Sequence, residues 1–498
     1  MFAKLKAEVA SHLLIYLLLT VSLVGAFFIR VYRVDQILGF YFDQGRDALV
    51  IREFLTTGKL FLVGPTTGIA GIFRGPWYYW LIAPVYFLGA GDPVWVSAFL
   101  SLLSVAAIFV LFFLAKEIAG YKAGLIAAVI ASFSYYIMIA SRWLSNPTPM
   151  LLISMLIVYT LFRLADAKKV SKYWLVLAFL LGMAMQFGSA AEVFYFPVVI
   201  LLAIWKRKTL TKRILFFAFC LLLVAFLPQV LFDIRHGGIL VGNIKKFLFD
   251  EGSFKIAFWD IVKLRMPFYW DLFTNKIWPG EPHLIRGAMF LGFVTFVYYW
   301  RTLVKNTKFV MVLLLWLSPI IGMLFFQGNY GNVYDYYFTG YYLIFILIYS
   351  VVLSMLVRKP LGIGVVMLFF IVYFKVNIEL NRNYIIAGVD GPTTIAFGNQ
   401  KQAIDWVYQD AKGNPFSVDV YVPPVIPYAY DYLFSWYGHK ISGYEPSREQ
   451  INPLYTLFET DPPHPERLEA WLERQAGIGV VEAEARFGGI VVQRRKRI

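Results

Sequence analysis

One short polar stretch carries the residues whose types and spacing could do chemistry. Residues 43–47 read Asp-Gln-Gly-Arg-Asp and follow the first hydrophobic segment of the chain. On a helix, Asp43 and Asp47 would share one face, with Arg46 three residues after Asp43. Two carboxylates at that spacing repel each other unless a cation, a ligand or a shared proton intervenes. The pattern therefore predicts either a functional site with perturbed carboxylates, or a surface helix on which Arg46 neutralises its neighbours.

The composition is that of an integral membrane protein. Of the 498 residues, 59% are hydrophobic and only 15% are charged, whereas about 25% are charged in an ordinary soluble domain. The net charge is +15, yet the tail after residue 376 carries more acidic than basic residues. The basic excess therefore belongs to the hydrophobic part, where topology and anionic lipid or phosphate explain it better than nucleic acid, which is not predicted as a partner. The single cysteine, Cys220, excludes an intrachain disulfide.

Eleven apolar runs are long enough, or nearly so, to cross a bilayer. They lie near 11–29, 93–115, 123–141, 143–162, 173–191, 193–205, 214–232, 287–304, 309–327, 336–357 and 361–376. Basic residues fill every second connection, including Lys4 and Lys6 before the first run, and basic loops stay in the cytoplasm. We therefore expect a multi-pass protein of the plasma (inner) membrane with a cytoplasmic N-terminus and an extracytoplasmic tail.

The pattern divides the chain into two parts. Residues 1–376 form a predicted membrane module whose outer loops, 31–92 and 233–286, are rich in aromatic residues and read as helices at the membrane interface. Residues 377–498 form a predicted extracytoplasmic α/β domain. Its helices are expected at 399–411, 427–436 and 465–475, and its strands at 417–422, 478–482 and 489–493.

The position of the charged residues bears on the class of protein. Eleven spans are common in transporters, which carry ionisable residues or broken helices at mid-membrane. Here the middle of each run is free of charge and many of the charged residues collect at the outer ends of the runs. These residues are Asp43, Arg74, Arg142, Glu192, Asp233, Arg235 and Asp335. The arrangement favours chemistry at the outer membrane surface on a lipid-borne substrate.

The stretch that begins at Asp43 resembles the first-loop signature of the GT-C glycosyltransferases. Asp43-Gln44-Gly45-Arg46 is followed by Ile51-Arg52-Glu53 and later by Arg74-Gly75-Pro76-Trp77-Tyr78-Tyr79-Trp80. The pattern is similar to that of the protein O-mannosyltransferases and the lipid A aminoarabinose transferases, which read Asp-Glu-Ala-Arg and later Lys-Pro-Pro-Leu-x-Tyr-Trp. The resemblance covers most of residues 1–375. It implies an all-α polytopic membrane bundle of the GT-C type with about 11 transmembrane helices, interfacial helices in the first outer loop and a small α/β domain on the outer face.

The resemblance also implies an activity. Such enzymes transfer a sugar from a polyprenyl-phosphate-linked donor to a lipid, glycan or protein acceptor, with inversion at the anomeric carbon. Asp43 matches the family's first aspartate and would be the general base. Arg46 matches the family's arginine, and Arg74 stands where lysine is frequent. Both would bind the donor phosphate and stabilise the negative charge that it gains as it departs.

The chain departs from the family pattern at two positions. Gln44 replaces the usual glutamate, a loss for which Asp47 could compensate, and Ser145-Asn146-Pro147 stands where many relatives carry an acidic residue. With fewer carboxylates available, no metal ligand is predicted and no cofactor is certain, although a divalent metal ion stays an open alternative.

Several other polar residues are candidates for substrate binding, each with a structural alternative. Glu192 lies on an outer turn, Arg235 and His236 could belong to a self-satisfied helix end, and Asp335 begins an aromatic belt. The full set is Asp47, Asn146, Glu192, Arg235, His236 and Asp335. The alternative functions are a transporter or flippase of a lipid-linked sugar, and a glycan ligase or polymerase. In each case membrane lipid is a partner.

Overall fold

The computed structural model describes residues 2–67, 71–247, 257–280, 282–326, 331–423 and 426–498. The first α-helices are α1 (Phe2–Ser11), α2 (Leu13–Val31), α3 (Val34–Ile37), α4 (Phe42–Thr57), α5 (Trp77–Leu88), α6 (Pro93–Ala119), α7 (Tyr121–Phe133), α8 (Tyr135–Arg142), α9 (Met150–Asp166), α10 (Tyr173–Phe187), α11 (Tyr195–Trp205) and α12 (Lys212–Arg235). They are followed by α13 (Ile239–Lys245), α14 (Phe258–Thr274), α15 (Pro282–Tyr298), α16 (Trp300–Val304), α17 (Thr307–Gly322), α18 (Tyr342–Ser354), α19 (Pro360–Ile386), α20 (Phe397–Ala411), α21 (Tyr428–Leu433), α22 (His439–Ser442) and α23 (Pro465–Ala476). The strands are β1 (Ser417–Tyr421), β2 (Leu454–Glu459), β3 (Gly479–Phe487) and β4 (Ile490–Arg497).

Long apolar helices make this an integral membrane protein. Six described helical stretches are long and apolar enough to cross a bilayer: Leu13–Val31, Pro93–Ala119, Lys212–Arg235, Thr307–Phe325, Asp335–Arg358 and Pro360–Ile386. A seventh span would be the bent pair α7 and α8, and three apolar helical stretches are shorter, namely Tyr173–Phe187, Ala190–Trp205 and Pro282–Tyr298. These helices lie at ten of the eleven predicted runs. The count of eleven therefore stays a prediction.

The run predicted at 123–141 is broken in the middle. At Ser134 the helix axis turns by 62° between α7 and α8, and the backbone groups that this break frees are bound from other helices. Arg30 Nη1 donates to the carbonyl of Ser132 at 2.9 Å, and the backbone N–H of Tyr135 donates to Asn377 Oδ1 at 3.0 Å. A break inside a membrane helix is tolerated when neighbouring side chains satisfy the backbone in this way.

The helices pack around one central element. Every residue of α18 is buried, whereas α12 and α19 bury only a small part of their surface and keep apolar side chains for lipid. At one end of the bundle, ion pairs join Glu8 to Lys116 and Glu117 to Lys308. The opposite end gathers the long connections between α2 and α6, α8 and α9, α10 and α11, and α12 and α15. The candidate residues lie at this second end.

The C-terminal part contains a four-stranded sheet of order β1-β2-β4-β3. β1 and β2 are parallel, and the other two pairs are antiparallel. α20 packs on β3 and β4. The helices and three of the strands lie where the sequence predicts them, but β2 was not predicted. All six of its residues are buried, so it lacks the alternation of polar and apolar residues by which a strand is recognised.

This C-terminal part docks onto the first long loop. α21 lies along α4, and the ring centroids of Phe42 and Tyr428 are 4.9 Å apart. Gln400 Nε2 donates to the carbonyl of Phe40 at 2.9 Å, and Trp436 Nε1 donates to the carbonyl of Ala90 at 2.8 Å. Because these contacts lie at both ends of the loop, they fix α4 between the helix bundle and the sheet.

Candidate active site

The helix that carries the polar stretch starts with a cap made by Gln44. Its Oε1 accepts the backbone N–H of Tyr41 at 3.1 Å, which satisfies one of the free N–H groups at the start of α4. Its Nε2 donates to the carbonyl of Leu144 at 3.2 Å. An ionised glutamate could accept the first bond but could not donate the second. Gln44 therefore fixes the start of α4 to the connection between α8 and α9.

Arg46 lies between the two carboxylates of the stretch. Its Nη1 is 2.8 Å from Asp43 Oδ1, while Nε and Nη2 donate to Asp47 Oδ1 at 3.0 and 2.8 Å. The side chain of Asp43 is 62% exposed and that of Asp47 is 8% exposed. The repulsion expected from the sequence is thus resolved by an internal cation, and only one of the two carboxylates faces solvent.

Asp47 is held from a second helix. Tyr79 Oη, on α5, donates to Asp47 Oδ1 at 2.7 Å, so this oxygen accepts three hydrogen bonds. Burial raises the pKa of Asp47 to about 6, although Arg46 and Tyr79 both act to lower it. Burial also acts to lower the pKa of Arg46, but Asp47, Tyr79 and Asp43 raise it above its ordinary value. Asp47 therefore holds Arg46 in place.

Arg74 lies in a short antiparallel pairing of residues 64–67 with residues 72–74, which contacts Arg46. The backbone N–H of Gly64 donates to the carbonyl of Arg74 at 2.8 Å, and the N–H of Arg74 donates to that of Pro65 at 3.1 Å. Thr66, in this pairing, accepts a hydrogen bond from Arg46 Nη1 at 3.1 Å. The side chain of Arg46 and the backbone of Arg74, 28 residues apart in the sequence, are thereby attached to the same segment.

Two glutamines hold the backbone on either side of Arg74. The N–H of Gly75 donates to Gln186 Oε1 at 2.8 Å, and Gln229 Nε2 donates to the carbonyl of Phe73 at 2.9 Å. Gln186 and Gln229 are themselves joined by a hydrogen bond of 2.8 Å. Neither residue is predicted from the sequence, although a polar amide inside an apolar helix is a signal of a functional position.

The guanidinium of Arg74 lies against the turn that follows α10. It donates to the carbonyl of Gly188 and, at 3.3 Å, to Ser189 Oγ. The N–H of Ser189 donates to Glu192 Oε2 at 2.5 Å. Burial lowers the pKa of Arg74, and the charge of Glu192 opposes that shift. Arg74, Ser189 and Glu192 therefore form one cluster.

Glu192 is a buried acid without a full set of partners. Its Oε1 has no hydrogen-bond partner among the described residues, and a Cβ built on Gly340 would come within 3.1 Å of it. Burial raises the pKa of Glu192 to about 8, although the N–H of Ser189 and the charge of Arg74 act to lower it. The carboxyl is therefore mostly neutral at pH 7 and can donate as well as accept a hydrogen bond.

The remaining candidates divide into two groups. Asn146 lies beside the Arg74 cluster, since its Nδ2 donates to the carbonyl of Phe187 at 2.8 Å. Arg235 and His236 lie at the end of α12, where His236 Nδ1 donates to the carbonyl of Phe232 at 2.7 Å. Within the described part of the chain, no contact joins these two residues to the cluster around Arg46.

Asp335 lies near Lys276, a buried residue that is not predicted from the sequence to be functional. Its Oδ2 is 3.9 Å from Nζ of Lys276, whose side chain is almost completely buried. Lys276 Nζ also lies 4.8 Å from the ring centroid of Tyr136 and 4.2 Å from that of Tyr342. Burial lowers the pKa of Lys276 to about 8, and Asp335 opposes that shift. The two aromatic rings around Lys276 come from distant parts of the sequence. The residues next to Lys276 in the chain therefore do not predict its burial.

The donor set does not favour a resident metal ion. Among the described residues, no group of three or more histidine, cysteine, aspartate or glutamate side chains could hold one. Asp43 and Asp47 are both paired with Arg46, so each carboxylate already has a cationic partner.

The chain is similar to known proteins both in sequence and in structure. Residues 74–232, from Arg74 to within α12, match the sequence model of a family described as dolichyl-phosphate-mannose-protein mannosyltransferase. The structure of ArnT from Cupriavidus metallidurans in the apo state aligns with a TM-score of 0.60 and 11% identity, covering 97% of this chain and 98% of that one. This chain has a GT-C fold. The same relative bound to undecaprenyl phosphate aligns with a TM-score of 0.59 and 11% identity, over 96% and 97% of the two chains.

An archaeal protein aligns over a smaller share of its length. The apo oligosaccharyltransferase of Archaeoglobus fulgidus aligns with a TM-score of 0.48 and 12% identity, over 80% of this chain and 58% of that one. A sequence comparison with curated proteins gave no significant match.

Proposed function

We propose that this chain is an inverting glycosyltransferase that moves a sugar from a polyprenyl-phosphate-linked donor to a lipid, glycan or protein acceptor. The proposal rests on the pair formed by Asp43 and Arg46. The exposed carboxylate of Asp43 lies 2.8 Å from the guanidinium of Arg46, which is also paired with buried Asp47. A general base and a phosphate-binding cation are the two groups that such a reaction requires. The family matched by residues 74–232 and the undecaprenyl phosphate bound by ArnT support the same class of donor.

The reaction follows from this placement. Asp43 accepts the proton of the acceptor hydroxyl while the hydroxyl oxygen attacks the anomeric carbon from the face opposite the phosphate. A new carbon–oxygen bond forms, the bond from the anomeric carbon to the phosphate oxygen breaks, and its electron pair stays on that oxygen. Arg46 and Arg74 stabilise the second negative charge that the lipid phosphate acquires. Inversion results because attack and departure occur on opposite faces.

Other residues hold these groups in place. Asp47 and Tyr79 fix Arg46, and Ser189 with Glu192 supports the turn on which Arg74 rests. Because Glu192 is mostly neutral at pH 7, it leaves the positive charge of Arg74 available to a phosphate. Asn146 and Asp335 lie at the same end of the bundle and are proposed to line the substrate space.

We place this reaction on the outer face of the plasma membrane, with residues 1–376 as the catalytic module and residues 377–498 as an extracytoplasmic domain. Basic residues at the opposite end of the bundle, among them Lys116 and Lys308, support a cytoplasmic N-terminus. The docking of α21 on α4 supports a role for the extracytoplasmic domain in shaping the site.

The test is transfer from a panel of radiolabelled polyprenyl-phosphate sugars by the purified protein in lipid. We expect one donor to be turned over, and Asp43→Asn to reduce the rate by about 10²- to 10⁴-fold, the usual contribution of a general base. Asp35→Asn is the matched control, because Asp35 is an exposed acid in the same loop. Equal rates for Asp43→Asn and wild type would refute the mechanism. Movement of a donor across vesicles without any glycosidic product would instead identify a flippase.

A further inference from the structure

A cavity that is partly open to the surface lies beside the start of α4. It has a volume of about 400 Å³ and is bounded by the ends of α8 and α19, by the segment that follows α3 and by the segment that precedes α20. Tyr41, Arg142, Trp143 and Tyr384 contribute its polar and aromatic lining. A cavity of this size is within the range of small-ligand sites.

Arg142 is the unusual residue of this cavity. It is 3% exposed, and among the described residues it makes no ion pair. Its Nη2 donates to the carbonyl of Tyr32 at 3.4 Å, its Cζ lies 5.3 Å from the ring centroid of Tyr384, and its Nη1 has no hydrogen-bond partner. A buried cation without an anion is costly, because desolvation is not offset by an opposite charge.

Arg30 shows what a structural buried arginine looks like in the same molecule. It is fully buried, does not line the cavity, and donates to the carbonyls of Ala26, Ser132 and Ala131 at 2.9, 2.9 and 3.1 Å. Arg142 makes one long bond, leaves Nη1 without a partner among the described residues, and lines the cavity. The comparison indicates that Arg142 binds a group that enters the cavity.

The walls restrict what that group can be. Apart from Arg142 they are mostly apolar or aromatic, so they match one negative charge on a molecule that also has apolar faces. Trp143 is 36% exposed and offers a ring on which the face of a sugar could stack. A doubly charged phosphate would leave one charge unpaired.

The cavity adjoins the proposed site of transfer. Tyr41, which lines it, directly precedes the helix turn that carries Asp43, and Leu144, the neighbour of Trp143, accepts the hydrogen bond from Gln44. The ring centroids of Trp143 and Tyr336 are 5.7 Å apart, and Tyr336 lies near Arg74. A molecule held at Arg142 would therefore lie next to the start of the helix that carries Asp43.

We propose that this cavity binds the acceptor through a singly charged anionic group, a carboxylate or a phosphodiester, paired with Arg142. The identification of this ligand as the acceptor depends on the proposed function. The binding of the anion at Arg142 does not, so the two are tested separately.

The test measures thermal unfolding of the full-length protein in lipid nanodiscs without any donor, since a ligand that binds the folded state raises Tm. The probes are methyl glucuronide, a carboxylate on a sugar, glycerophosphoglycerol, a phosphodiester typical of a lipid headgroup, and neutral methyl glucoside. We expect one or both anions, but not the glucoside, to raise Tm. Which anion does so distinguishes an acidic glycan from a lipid headgroup as the source.

Variants connect the effect to Arg142. Arg142→Met should keep or raise Tm without ligand and should weaken anion binding about tenfold or more, the effect of losing a charge-assisted hydrogen bond. Arg142→Gln serves if the first variant does not fold, and Arg448→Gln, which removes an exposed positive charge, should respond like wild type.

Three results would overturn the proposal. The first is that neither anion stabilises the wild type, and the second is that the Arg142 variants respond as strongly as the wild type does. The third is that undecaprenyl phosphate displaces the anion competitively, because the cavity would then belong to the donor. Since no transfer is measured, failure of the glycosyltransferase assay leaves the binding result interpretable.

Discussion

Gly45 lies directly against Ala429, which joins the centre of the polar stretch on α4 to the first turn of α21. A Cβ built on Gly45 would lie 2.5 Å from Ala429 Cα and would also overlap the backbone of Tyr428. Both partners of this contact are backbone, so neither can rotate away as a flexible side chain would. The absence of a side chain at position 45 therefore allows the C-terminal part to rest on the helix that presents Asp43 and Arg46.

The first prediction concerns this contact. Gly45→Ala should push α21 away from α4 and lower the stability by about 1–3 kcal/mol, the usual cost of overpacking. Sugar transfer should fall as well, because Asp43 and Arg46 flank the displaced turn. Thermal unfolding and the transfer assay measure the two effects. The matched control is Gly242→Ala, since Gly242 lies in α13 with nothing within 4 Å of an added Cβ. Equal Tm values for the two variants would contradict the prediction.

The second prediction concerns Asp47 and acid pH. The pKa of Asp47 is about 6, so its negative charge, and with it the hold on Arg46, is lost as the pH falls through 6. Wild-type kcat/KM should therefore decline below about pH 6. Asp47→Asn should lower kcat/KM about tenfold to a hundredfold above that pH, the equivalent of one charged hydrogen bond, and should lack this decline.

Tyr79→Phe provides the comparison for Asp47. Its hydroxyl helps to lower the pKa of Asp47, so its removal should shift the acid decline of kcat/KM to higher pH while the rate near neutral pH changes little. A profile for Tyr79→Phe that coincides with the wild-type profile would show that Asp47 does not set the acid limb.

The third prediction concerns Arg74. Its guanidinium donates to both Gly188 and Ser189, and a lysine cannot reproduce that fork although it keeps the charge. Arg74→Lys should therefore lower kcat/KM about tenfold, and Arg74→Gln about a hundredfold, because the glutamine also removes the charge offered to the phosphate. Arg286→Gln removes an exposed positive charge on α15 and should leave the kinetics unchanged. Equal losses in the lysine and glutamine variants would argue against a role for the charge.

The fourth prediction concerns Glu192 and alkaline pH. Its pKa is about 8 in the folded protein and 4.5 without the fold. Between these values the folded chain holds a proton that the unfolded chain has lost, so stability falls as the pH rises through that window. Glu192→Gln carries no charge and should escape this loss. The difference in Tm between Glu192→Gln and wild type should widen from pH 5 to pH 8 and then level off. A constant difference would show that Glu192 is ionised in the folded state.

Much of the architecture follows from local sequence. The apolar runs predict most of the membrane helices, because the length and hydropathy of a span are properties of consecutive residues. The helix at 399–411 and the strand at 417–422 are likewise found as α20 and β1, with small shifts at their ends. The resemblance that begins at Asp43 also implies the GT-C fold that the structure has.

The tertiary structure decided the roles of the residues within the polar stretch. From their spacing alone, Asp43 and Asp47 are equally good candidates for a catalytic role. In the structure, Tyr79 on α5 covers Asp47 and leaves Asp43 exposed. Arg74 meets Gly188 and Ser189 more than a hundred residues later in the chain. Burial and hydrogen bonding between distant segments set the pKa and the orientation of a side chain, and neither quantity is a property of neighbours in the sequence.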